Sequence, residues 1–313
     1  MSLNYFRKIF RFQIHPFFLH RAYLLDLLIP FYHLIIDNKV QKPPIYKHLC
    51  TVKNKTFIIP TAQSKVVNTK ELKKFIKGKT KNPVFYSLSG AHLYGFASKD
   101  SDYDIRGCHV EPTRKVLGLQ KPRGVVEAME EDNDFVSQEI EKFIGLMLKP
   151  NGNVLEQLYS PIKLVTSKEH RELKKLAKGC FCKRLYFHYN GMAMQNYKKF
   201  LDKGKNTVKK YLYVLRSLMT GTYLLEKGKL EPNINETNKY FKSSIVKELI
   251  KLKTKEQSTL PRNSAIHNKA QKQIADLFYR LKESREKSKL PEEPKNKEEL
   301  NEFLIKTRVK YLK

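Results

Sequence analysis

The chain has 313 residues, with 61 Lys and Arg against 31 Asp and Glu, a formal charge of +30 at pH 7 and 41% hydrophobic residues, enough for one large or two ordinary domains with their own cores. Four cysteines, Cys50, Cys108, Cys180 and Cys182, have neither zinc-site nor disulfide-framework spacing, which excludes a zinc ribbon and a disulfide-stapled scaffold and fits a reducing cytoplasm. Residues 1–82 carry 16 basic and 3 acidic side chains, residues 83–165 carry 9 and 12, and residues 166–313 carry 36 and 16, so the middle alone is acidic.

Residues 1–82 read as a basic N-terminal extension. Within it residues 22–36 are apolar but interrupted by Asp26, Pro30 and His33. That run is shorter than the ~20 residues needed to span a bilayer, so a buried or interfacial helix is expected and no membrane insertion. Arg7, Lys8, Arg11 and Arg21 precede the first acid, a composition also seen in organellar targeting peptides.

Residues 84–88 are apolar and strand-like, and they feed a small-residue turn at Gly90 and Ala91. Asp102 and Asp104 then alternate along a second strand-like run, where side chains at i and i+2 share a face. Carboxylates held that close repel each other unless a cation lies between them, and an all-oxygen site suits Mg²⁺ or Mn²⁺. With no side chain at Gly90 and a small one at Ala91, a triphosphate has room to approach backbone N–H groups at the start of a helix. Arg106 lies on the same strand face, where it orients an aspartate or meets a phosphate. The strand continues through residues 107–110, and Pro112 closes it.

The acidic run at 130–134 reads by itself as a solvated loop, with Asp134 directly before Phe135 and Val136. Ile140, Phe143, Ile144, Met147 and Leu148 then form one apolar face of a helix that Pro150 ends. Residues 154–158 open another helix, in which Glu156 is expected to cap and pack. From about residue 167 the periodicity is helical almost to the end. There His188 reads as ordinary packing, and Gly191 with Ala193 is small enough for close helix contact. Lys209, Tyr213 and Arg216, at i, i+4 and i+7, share a helix face that by spacing alone is a basic stripe. Pro291 and Pro294 mark a connector before the last helix.

The segment from Gly90 to Gly107 resembles the signature of the polymerase-beta-type nucleotidyltransferases. Tyr94-Gly95, Ser101-Asp102, Asp104 and Arg106-Gly107 match in particular the RNA-repair-pathway (RlaP-like) family of bacteria and phages. The resemblance runs from about residue 83 nearly to the end and leaves roughly the first 80 residues unmatched. It implies an α+β fold: a catalytic domain at 83–165, a small mixed sheet with flanking helices, followed by an all-helical domain at 166–313. It also implies a third carboxylate from a neighbouring strand, Asp134, with Asp132 as the fallback and Glu139 as an outsider. Two Mg²⁺ or Mn²⁺ ions held by Asp102, Asp104 and Asp134 are then expected. Lys209 and Arg216, with Lys210 as substitute and Tyr213 beside them, would meet the triphosphate.

The implied activity is transfer of a nucleoside monophosphate from a nucleoside triphosphate to a hydroxyl. Basic flanks around an acidic centre suit a polyanionic partner, nucleic acid, with an RNA end as acceptor. The family's serine after the glycine is Ala91 here, which removes one side-chain donor, typically worth ~1–3 kcal/mol. Two other readings stand beside this one: a relative that binds nucleic acid without chemistry, and transfer to a protein or small molecule. Nothing in the sequence specifies an oligomeric state.

Overall fold

Asn68 accepts hydrogen bonds from the backbone N–H groups of Lys70 and Glu71 and so caps helix α1, Thr69–Ile76. The structure is a computed structural model that describes residues 67–202, 206–253 and 258–312, all within one compact unit, Lys55–Lys313. The apolar run at 22–36, Cys50 and the rest of the N-terminal extension before residue 67 lie outside the described residues.

Among the described residues five strands form one sheet: β1 Asn82–Leu88, β2 Tyr103–Val110, β3 Val125–Glu130, β4 Asn133–Glu139 and β5 Lys163–Thr166, in the order β3-β4-β2-β1-β5. Only β2 and β4 pair in parallel; the other neighbours are antiparallel. The expected α+β architecture is the observed one. β5 went unread in the sequence because it has four residues, too few for an alternating pattern to stand out.

The period of two in the strands sorts the sheet into two faces. Tyr86, Leu88, Tyr103, Ile105, Phe135 and Leu164 turn one way and are covered by Leu72 and Ile76 of α1. Phe85, Cys108 and Val110 turn the other way, into the larger core. Helices α4 Ile140–Leu148, α5 Gly152–Tyr159 and α6 Lys168–Leu176 pack there, with Phe143 edge-on to Phe85 at 5.5 Å and His170 stacked on Phe85 at 4.7 Å. Asp104 and Arg106 share the strand parity of Cys108 and Val110, so they continue this second face toward the end where β2 begins.

Among the described residues from 168 onward the regular structure is helical apart from an isolated bridge between Thr207 and Thr259. Helix α8, Val208–Lys227, is its axis, and Tyr211, Leu212, Val214, Leu215, Leu218 and Met219 are all buried. Against it lie α7 Leu185–Asp202, α9 Ile234–Phe241, α10 Ser244–Leu252 and α11 Ala265–Lys287. The close approach expected of Gly191 is made instead from the other helix. A Cβ at Gly221 of α8 would lie 2.6 Å from Tyr189 Cβ, whereas nothing crowds Gly191, which is exposed.

The last helix, α12 Lys297–Lys310, returns to the sheet: Arg308 pairs with Glu139 through both terminal guanidinium nitrogens at 2.6 and 2.8 Å, and the Tyr311 carbonyl accepts at 3.0 Å from the N–H of Thr113, which opens the short helix α3, Thr113–Leu117. Cys108, Cys180 and Cys182 are buried and free. Among the described residues no helix is long and apolar enough to cross a membrane.

Candidate active site

The chemistry-bearing side chains collect at the end of the sheet where β2 begins. The Ser89 N–H donates to the Asp104 carbonyl at 2.8 Å, tying the turn into the short helix α2, Gly90–Tyr94, to the start of β2. Gly90 has a left-handed φ of 59°, and a Cβ there would lie 1.8 Å from Asp104 Oδ2. The space left by the missing side chain is therefore taken by the Asp104 carboxylate. Ala91 is buried in the larger core, so the family's serine is replaced at a position whose side chain packs inward.

The parallel register sets Asp104 directly opposite Asp134. Arg106 links the two: Nη2 donates to Asp104 Oδ1 at 2.8 Å and to Asp134 Oδ2 at 2.6 Å. Nη1 donates to the Asp134 carbonyl at 2.6 Å and to the Ile105 carbonyl at 3.1 Å. Burial pushes the Asp104 carboxyl above its ordinary range; Arg106 and Lys209 oppose that shift, while Asp134 and Asp102 add to it.

Asp102 stands one residue before β2 and is exposed, on the approach to the pair. Among the described residues no three Asp, Glu, His or Cys side chains form a group that could hold a metal ion. Two of the three expected carboxylates, Asp104 and Asp134, meet across adjacent strands, and Asp102 lies near enough for its charge to act on Asp104. Asp102 precedes the strand whose register aligns the others, and the Arg106 guanidinium supplies the counter-charge that holds those two together. Asp132 lies exposed in the β3–β4 turn, where its carbonyl accepts from Tyr103 N–H at 2.7 Å. Glu139 is at the other end of β4, engaged by Arg308.

The opposite wall comes from α8. Lys209 is half-buried and near enough to oppose the Asp104 shift, and Lys210 is half-buried beside it. Tyr213 packs edge-on to Tyr94 at 5.7 Å and to Phe96 at 5.3 Å. Arg216 is not at the cleft. It is 1% exposed, paired at 2.7 Å with Glu156, which is fully buried, and its guanidinium lies 3.7 Å from the centre of the Tyr94 ring. Burial by itself would lower the Arg216 pKa, but Glu156 and the surrounding tyrosines hold it above its ordinary value. The expected phosphate contact is thus a structural ion pair: the stripe runs from the mouth at Lys209 into the core within two turns, and the acidic partner waits there. Glu156 has the packing role expected of it, also accepting from Tyr189 Oη at 3.1 Å.

Sequence reasoning missed Lys253. Its Nζ donates at 2.9 Å to Ser98 Oγ, which in turn bonds Ser101 Oγ at 3.1 Å, so α10 braces the loop that leads to Asp102. No signal marked it, since it is one lysine among many and 155 residues from its partner.

A mixed sheet bearing an Asp-x-Asp strand, with a third aspartate in register on the parallel neighbour, is the arrangement expected of a polymerase-beta-type nucleotidyltransferase. Residues 65–306 match the model of the RlaP family, the RNA repair pathway DNA polymerase beta family, and the chain belongs to that family. The match reaches back to residue 65, ahead of the expected start near 83, and takes in α1, whose Leu72 and Ile76 cover the sheet. The chain is similar to Uncharacterized protein MJ0002 of Methanocaldococcus jannaschii, with 33% identity over 218 residues, 68% of this chain and 88% of that protein. It is also similar to Uncharacterized protein YcgL of Bacillus subtilis, with 32% identity over 167 residues, 52% of this chain and 64% of that one.

Proposed function

We propose that this protein is a divalent-cation-dependent nucleotidyltransferase that moves a nucleoside monophosphate from a nucleoside triphosphate to a hydroxyl on an RNA end. The observation that carries the reading is the cross-strand pair of Asp104 and Asp134, with Lys209 acting on Asp104 from the helical side. The donor set fits a hard cation: it is all oxygen, and Asp104 is pushed up first by burial and then by the charges of Asp134 and Asp102, a repulsion that a cation relieves. When bound, Mg²⁺ or Mn²⁺, as two ions, supplies a lowered hydroxyl pKa and stabilisation of charge on the departing pyrophosphate.

In this reading Asp102, Asp104 and Asp134 hold the metal, and Asp134 takes the proton from the attacking hydroxyl. Lys209, with Lys210 beside it, neutralises the triphosphate, and Tyr213 forms the aromatic side of the nucleotide pocket. The sheet domain of residues 83–165 supplies the carboxylates and the helical domain of residues 166–313 the phosphate and RNA contacts. The basic flanks favour nucleic acid as the acceptor's class.

The test is incorporation of each of four α-labelled nucleoside triphosphates into total RNA, single-stranded DNA and protein, with and without Mg²⁺ or Mn²⁺. Label should enter RNA only with metal and fall at least ~10²-fold in Asp104→Ala, with the fold retained by circular dichroism. Undiminished incorporation in that variant overturns the assignment. Salt-sensitive RNA binding with no incorporation would replace it with a binding role, and label in protein would replace the acceptor.

A further inference from the structure

The oxygens that a cation needs are the oxygens that Arg106 already holds. One nitrogen, Nη2, contacts Asp104 Oδ1 and Asp134 Oδ2 at 2.8 and 2.6 Å. The other Asp104 oxygen is pressed against the backbone at Gly90, where even a methyl group would overlap it. Asp104 therefore has little freedom to offer a cation a different face. The Arg106 side chain is 19% exposed and those of Asp104 and Asp134 are 31% exposed, so solvent ions reach the pair. A guanidinium and a small divalent cation cannot occupy the space between the same two oxygens, because both need contact distances below 3 Å.

Resting on the metal-site reading above, we infer that Arg106 is a built-in counter-cation. It holds Asp104 and Asp134 together while no divalent ion is bound, and the ion's arrival displaces its guanidinium toward the mouth of the site. Without Arg106 the charges of Asp134 and Asp102 would act on Asp104 in a half-buried setting, so an occupant of the pair stabilises the unloaded protein. Arginine suits that duty because Nη2 donates to both carboxylates while Nη1 donates to the Asp134 and Ile105 carbonyls, four bonds that the three donors of a lysine cannot make. Once displaced, the same side chain remains tethered to β2 two residues from Asp104, carrying a positive charge beside the place where a triphosphate docks. Metal binding and phosphate binding are then coupled: each favours the state in which Arg106 has left the carboxylates. Arg106 is a positioning residue in the unloaded protein and a phosphate ligand in the loaded one.

Mn²⁺ binding to the full chain, measured by the loss of the free-ion EPR signal, tests this without reference to turnover. Arg106→Gln should bind Mn²⁺ about tenfold or more tightly than the wild type, because the ion no longer competes with a charge-assisted hydrogen bond at each carboxylate. Its melting temperature without metal should be lower than wild type and should recover more of the difference on adding Mn²⁺. Arg106→Lys, which retains the charge but not the fork, should fall between the two and guards against loss of folding in the glutamine variant. Added nucleoside triphosphate should tighten Mn²⁺ binding more in the wild type than in Arg106→Gln.

Equal or weaker Mn²⁺ affinity in both Arg106 variants overturns the exchange. Asp104→Asn separates the two levels of the argument. If it leaves Mn²⁺ binding unchanged, the metal-site reading itself fails; if it abolishes binding while the Arg106 variants match the wild type, only the exchange fails.

Discussion

At Gly90 the absence of a single Cβ sets where Asp104 can be. An alanine there meets the carboxylate and must also adopt a left-handed φ, which costs about 1–2 kcal/mol before any contact is counted. Gly90→Ala should lower both melting temperature and transfer activity, measured by thermal unfolding and by labelled-nucleotide incorporation; a variant with wild-type values for both would show that Asp104 is free to move. His188 offers a different test. Its pKa is pushed down to about 4 by burial and by the Arg216 charge, from an ordinary 6.5. Between those values the unfolded chain binds the proton and the folded chain does not, so stability falls as pH drops from about 6.5 and the loss levels off near 4. This one group accounts for up to about 3 kcal/mol, and the lowered pKa values of His109 and His170 act in the same sense. His188→Asn should flatten the dependence of the urea midpoint on pH over that window.

In β2 and β4 register decides which side chains meet. In a parallel ladder Asp104 faces Asp134, whereas a slip of one residue would send one of them to the α1 face. The far end of the same two strands is pinned by α12, where Arg308 holds Glu139 at 2.6 and 2.8 Å. Arg308→Ala leaves Glu139 buried without its cationic partner and should cost about 2–4 kcal/mol, read from urea denaturation. Transfer activity at low temperature should survive, because Arg308 is at the opposite end of β4 from Asp134. The strands and helices of this region were readable where enough residues repeat: β2 and α4 show their periods plainly. β5 and α1 did not, the first because it is four residues long, the second because it precedes the stretch that resembles the family.

Across the molecule, basic side chains differ in burial and partners. Lys209 and Arg216 sit seven residues apart on α8: Arg216 is buried in an ion pair with Glu156, and Lys209 is the half-buried one that we propose meets the triphosphate. Arg216→Ala should destabilise the protein by about 3–5 kcal/mol, since Glu156 would stay buried and uncompensated. Lys209→Ala should leave the urea midpoint nearly unchanged and raise the KM for nucleoside triphosphate about tenfold. Measuring stability and KM for both variants separates the roles; a KM effect without destabilisation in Arg216→Ala would reverse them. The surplus of lysine should also appear as a steep fall in RNA affinity with salt, the slope counting the phosphates contacted.

Much of this was legible in the chain itself. The paired aspartates two apart and the acidic centre between basic flanks are patterns of charge and strand period that local physics is enough to read, whereas Asp134 was marked only by the family resemblance. What needed the tertiary structure was partnership. Spacing puts Arg216 on the same helix face as Lys209, but only packing shows that this face dives into the core and meets Glu156. Composition makes Gly90 a place for something to approach closely, yet only the fold shows that the visitor is Asp104. Two carboxylates close together call for a cation; strand spacing puts Arg106 on the face of Asp104, and only the register of β4 shows that it reaches Asp134 as well. Periodicity reports which way a side chain points relative to its own element; what it meets there depends on residues distant in sequence, and that is settled when the elements pack.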